Sequence, residues 1–172
     1  MALFEFIADK ELRVSLDSDL AELQHALEVG SWKSVHVLSG SIIETVLIDH
    51  LLSVHYCGKD PLKMTLDEAI AAGKASSILS EKVVELSTII KRYRNLIHPG
   101  RLLRLSEKID RNSAQVCHAL VQMVSGEIAA SKQLSYGYTA EQVASKVERD
   151  ASALSIVNPL LSKTGQGCAE VC

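Results

Sequence analysis

Arg92-Tyr93-Arg94-Asn95-Leu96-Ile97-His98-Pro99-Gly100-Arg101 closes a helical pattern that opens at Ser80. Ser80 is an N-cap residue, and Glu81 and Glu85 follow it near the positive end of the helix. Val83, Val84, Leu86, Ile89, Ile90 and Tyr93 supply the apolar positions. Pro99 disfavours helical geometry at the residue before it, so the helix is expected to finish at about Ile97 or His98. The segment therefore places two arginines, an amide and an imidazole at one helix end.

The same periodicity extends in both directions. Leu16, Leu20, Leu23 and Leu27 repeat at spacings of four, three and four, the stripe of an amphipathic helix that Gly30 stops. Ser31 opens a longer helix to about His55. It is apolar on nearly every side, which predicts the central helix of a bundle. Thr65 caps a short helix over Leu66 to Ala72, ended by Gly73. Beyond the helix end comes a basic loop, then a helix from about Glu107 to Lys132 carrying Val116, Leu120, Val121, Met123, Val124 and Ile128. Tyr136-Gly137-Tyr138 reads as a turn, and Thr139 to about Leu154 as a last helix. No strand pattern is present. The expectation is an all-α, up-and-down bundle of five or six helices forming one domain over 1–157, with a loose tail over 158–172.

Composition supports that reading. The 172 residues suit one domain, and a chain of this size buries roughly 70% of its unfolded surface without disulfides or metal. Leu, Ile, Val and Ala dominate, and only seven residues are aromatic, which favours helices over sheets. The N-terminus lacks a basic stretch followed by an apolar run, so no secretory signal is expected. Val35 to Val54 is apolar but broken by His36, Ser39, Glu44, Thr45, Asp49 and His50, so no membrane span is expected and the location is read as cytoplasmic. Cys57, Cys117, Cys168 and Cys172 then read as reduced thiols. No metal site or cofactor is expected, because no His/Cys spacing matches a ligand pattern.

Charge is uneven. Residues 91–111 hold Lys91, Arg92, Arg94, Arg101, Arg104, Lys108 and Arg111 against Glu107 and Asp110. That strip carries +5, so the remainder of a chain of net charge −3 carries −8. An acidic body with one basic strip suits a local anion site. At about 100° per residue, Arg94 and His98 share one helix face, and Asn95 neighbours His98. Arg92 reaches the same site if the last turn unwinds before Pro99. Arginine presents a planar fork to phosphate oxygens, and histidine exchanges a proton near neutral pH. Such a set suits RNA cleavage without metal: deprotonating a 2′-hydroxyl, stabilising the phosphorane and protonating the leaving oxygen. Tyr93 is a candidate base contact, Arg101 and Arg104 are candidate substrate contacts, and Glu44, an acid in an apolar helix, is expected to pair with Arg92 or Arg94 and orient it.

The run Arg92-x5-His98, with Asn95 inside it and Pro99 after it, resembles the signature of the HEPN superfamily, in which an Arg precedes a His by four to six residues at the end of a bundle helix. The stretch Ser41-Ile42-Ile43-Glu44-Thr45-Val46-Leu47-Ile48-Asp49-His50-Leu51-Leu52 is similar to that family's earlier bundle helix. The motif arginine is Arg92 by spacing or Arg94 by its Asn neighbour. The resemblance covers roughly residues 15–130. It implies a HEPN-like bundle that dimerises and places two Arg/His sets in one composite cleft. It also implies a metal-independent endoribonuclease in a defence or toxin–antitoxin setting, with an antitoxin or other protein partner. The alternative it carries is a non-catalytic dimeric module that binds RNA, nucleotide or a protein partner.

Overall fold

In the computed structural model, residues 3–96, 98, 100 and 108–136 are described, and among them the secondary structure is helical with no strand. The chain divides into two compact units, Met1–Ile128 and Ala129–Cys172. Among the described residues, five α-helices can be bounded: α1 (Lys10–Glu28), α2 (Trp32–Ser53), α3 (Leu66–Ala75), α4 (Glu81–Asn95) and α5 (Arg111–Tyr136), with a 3-10 turn at Pro61–Lys63. The helix expected over 139–154, the turn at Gly137 and Tyr138 and the tail lie outside the described residues.

α1 starts where Asp9 accepts a hydrogen bond from the Leu12 amide at 3.0 Å. It ends in a Schellman arrangement: Gly30 takes φ +78°, and the Ser31 amide reaches back to the Ala26 carbonyl at 2.8 Å. Only glycine adopts that backbone without strain. The buried face of α1 is Leu16, Leu23 and Ala26, packed on α2. Phe4 and Ile7, just before α1, are fully buried, an anchor that the helical periodicity does not reveal.

α2 is central, in contact with α1, α3 and α4. Val35, Ile42, Ile43, Val46, Leu47 and Leu51 are fully buried around its circumference. By length and composition alone α2 could cross a membrane, with a mean hydropathy of 1.4 over its 18-residue window. The polar residues within it do not lower that value enough to exclude a span, contrary to the expectation from sequence. The bundle accounts for the apolarity instead, since 56% of the window is buried against other parts of the chain.

α3 begins with a full capping box between Thr65 and Glu68 and runs past Gly73 to Ala75. Gly73 does not stop the helix. It serves a close approach: a Cβ there would collide with the Leu79 side chain, and its carbonyl accepts from the amides of Ile78 and Leu79. α4 buries Val83, Val84, Ser87 and Ile90. Its last turn tightens, with the Leu96 amide bonded to the Tyr93 carbonyl three residues back, so the helix ends at Asn95 rather than at His98. α5 starts at Arg111 rather than near Glu107. Asp110 caps it: the Ser113 amide donates to Asp110 Oδ1 at 2.9 Å, and the Ala114 amide donates to the Asp110 carbonyl. Ala114, Cys117, Val121, Val124 and Ile128 form its buried stripe, and Lys82 pairs with Glu127 between α4 and α5.

Candidate functional site at the end of α4

Arg92 and Arg94 are two residues apart, so about 200° separates them around the helix. That geometry sends them to different places. Arg94 lies on the α2 side. Its Nη1 donates to Glu44 Oε2 at 2.9 Å, with the two side chains 38% and 22% exposed. Glu44 therefore pairs with Arg94, one of the two partners expected of it. The path of the Arg94 side chain depends on Gly40, one turn before Glu44 on α2. A Cβ at Gly40 would lie 2.5 Å from Arg94 Cδ and 2.9 Å from Cγ. The missing side chain at Gly40 forms the notch through which the arginine crosses α2.

Arg92 is exposed and lines a cleft of about 410 Å³ between α4 and α5, with Ile89, Tyr93, Lys108, Asp110, Asn112, Ser113 and Val116. Tyr93 is half-buried, and its ring lies 5.5 Å from that of His36 at an interplanar angle of 39°. His36 is fully buried. Its Nδ1 donates to the Trp32 carbonyl at 2.7 Å, leaving Nε2 as a buried acceptor with no hydrogen-bond partner among the described residues. Burial pushes the His36 pKa down, against the opposing pull of the Trp32 carbonyl and the Asp110 charge. Asp110 is held below its ordinary range, chiefly by the hydrogen bond from the Ser113 amide, and stays ionised at neutral pH.

His98 is exposed and lines a different cleft, of about 390 Å³, with Glu22, Lys33, Ser34, Val37 and Leu38 from α1 and α2. Among the described residues, the two clefts share no lining residue. Within one chain the helix end does not gather the expected set in one place: Arg92 and Tyr93 go to the α4–α5 cleft, His98 goes to the α1–α2 side, and Arg94 goes to Glu44. Asn95 is half-buried at the last helical position, its carbonyl accepting the His98 amide at 3.4 Å. Arg101 and Arg104 lie outside the described residues.

Four residues join this region without having been singled out as site residues. Gly40 carried a signal, a glycine inside an otherwise apolar helix one turn before its acid. Lys108 sat within the basic strip. Lys33 had no signal, because only the folded chain brings α2 beside His98. His36 was legible only as an ordinary histidine. Among the described residues, no three His, Cys, Asp or Glu side chains gather as a metal-holding group. Cys57 is exposed, while Cys117 is buried and its thiol is pushed up to about 12 by burial. Cys168 and Cys172 lie outside the described residues. Comparison with protein-family models, with curated proteins and with solved structures finds no match for this chain.

Proposed function

We propose that this chain is a HEPN-like helical module that acts on RNA, as a metal-independent endoribonuclease of the defence or toxin–antitoxin kind, working from the end of α4. The observation that carries the reading is the exposed pair of groups leaving that helix end, Arg92 on one side and His98 on the other, within the basic strip. A guanidinium is the side chain best matched to a phosphate, and an exposed imidazole is placed to exchange a proton. Arg94, paired with Glu44, ties the helix end to α2.

Because Arg92 and His98 line separate clefts, the reading requires a second copy, the Arg92 of one chain working with the His98 of its partner. The chemistry is then general base removal of a 2′-hydroxyl proton and attack of that oxygen on the adjacent phosphorus. The 5′-oxygen leaves with a proton, and a 2′,3′-cyclic phosphate remains. The separation of the clefts also favours a second reading, a non-catalytic module that binds RNA or a protein partner.

The test is cleavage of end-labelled single-stranded RNA by the full chain in EDTA, with Arg92→Ala, His98→Ala and an equimolar mixture of the two variants. The proposal expects wild type to cut, each variant to lose at least about a hundredfold in rate, and the mixture to recover activity through mixed dimers. If wild type binds RNA without cutting it, the second reading replaces the first. Equal cutting by wild type and His98→Ala contradicts the role of His98.

A further inference from the structure

The α4–α5 cleft has a composition that phosphate binding alone does not require. Two of its walls are apolar and stand on different helices: Ile89 on α4 is 37% exposed and Val116 on α5 is 42% exposed. Tyr93 adds an aromatic wall whose position is fixed by its contact with His36. Arg92 and Lys108 line the same cleft and supply positive charge. A volume of about 410 Å³ falls within the range of small-molecule sites. Apolar and aromatic walls with cations beside them match a flat heteroaromatic ring attached to a phosphate.

The cleft also contains an acid, which a site for phosphate alone would avoid. Asp110 caps α5: its carboxylate accepts from the Ser113 amide, and the Ser113 hydroxyl and the Asn112 amide also bond to it, so about three of its roughly four acceptor positions are engaged. The remaining position suits a ligand with a ring N–H donor. Guanine presents such a donor at its ring N1–H. Adenine presents a bare ring nitrogen at the corresponding position, which a carboxylate repels.

We infer that this cleft is a base subsite that takes a guanine of the RNA strand, with Tyr93, Ile89 and Val116 against the ring, Asp110 reading its Watson–Crick edge, and Arg92 and Lys108 on the attached phosphate. The inference rests on RNA being the ligand of this module, and it names the base that the module prefers.

The experiment is calorimetric titration of the full chain with GMP, AMP and ribose 5-phosphate, repeated on Asp110→Asn. Asn caps helices as well as Asp does, so this variant keeps the start of α5, and its melting temperature checks that it has folded. The expected result is GMP binding about tenfold more tightly than AMP, with the margin lost in Asp110→Asn while the melting temperature holds. Equal binding of GMP and AMP overturns the inference, as do binding of ribose 5-phosphate as tight as that of GMP, a preference that survives in Asp110→Asn, and no binding of any of the three at millimolar concentration. The titration does not depend on cleavage. A guanine preference in a protein that neither binds nor cuts RNA leaves the subsite standing and removes the RNA reading. RNA cutting without any mononucleotide preference removes the subsite alone.

Discussion

The two sides of the last turns of α4 make different uses of the same residue type. On the α2 side, Arg94 crosses the notch at Gly40 and ends on Glu44, half-buried and paired. On the α5 side, Arg92 is exposed at a cleft with Tyr93 and Lys108. An arginine that meets a carboxylate in a groove made for it serves the packing of two helices. Arg92, at the rim of the other cleft, is the one to which the proposed function assigns a phosphate. Sequence spacing treats the two as rivals for one role, whereas the 200° or so between them on the helix gives each its own.

The largest expected effect comes from filling the notch. An alanine at an unconstrained helical glycine gains up to about 1 kcal/mol from propensity. Gly126, in the interior of α5, is such a site, since a Cβ there meets nothing within 4 Å. Gly126→Ala is therefore expected to stabilise. At Gly40 the added methyl collides with the inner carbons of Arg94, and such overpacking costs about 1–3 kcal/mol. Gly40→Ala is expected to destabilise despite the same gain in propensity. Urea unfolding of the two variants checks the opposite signs. Stabilisation by both would mean that Arg94 does not lie in the notch.

A second effect falls on the contact between the cleft and α2. The pKa of His36 is lowered in the folded chain, so folding favours the neutral ring. The stability that this contributes is present above the unfolded value of about 6.5. It is lost as pH falls through the lower folded value. The melting temperature should drop on acidification from pH 7 to 5, and His36→Gln, neutral throughout, should flatten the drop. An unchanged slope in that variant assigns the drop to other groups. The smallest effect is expected from Glu44→Gln. The pair is partly exposed and screened, so the loss should stay below about 1 kcal/mol.

Much of the bundle was legible because helical burial is local and periodic. Leu16 and Leu23, the caps at Ser80 and Thr65 and the all-round apolar α2 all appear in order along the chain. Gly73 misled because a glycine reads as a stop unless its neighbour in space is known, here Leu79. Phe4 and Ile7 were invisible because they anchor outside any helical repeat. At the site, the pairing of Glu44 with an arginine followed from the cost of burying a carboxylate alone. Which arginine it was, and the parting of His98 from Arg92, depended on the rotation of α4 against α2 and α5, which local spacing does not encode.

The most direct measurement is RNA cleavage in EDTA alongside thermal melting for Arg92→Ala, Arg94→Ala and His98→Ala. The account predicts that Arg92→Ala and His98→Ala melt within a few degrees of wild type and lose cleavage. It predicts that Arg94→Ala, which empties the notch at Gly40 as well as removing the pair with Glu44, shows the largest fall in melting temperature of the three. An Arg92→Ala protein that cuts RNA like wild type, or an Arg94→Ala protein that melts like wild type, would contradict it.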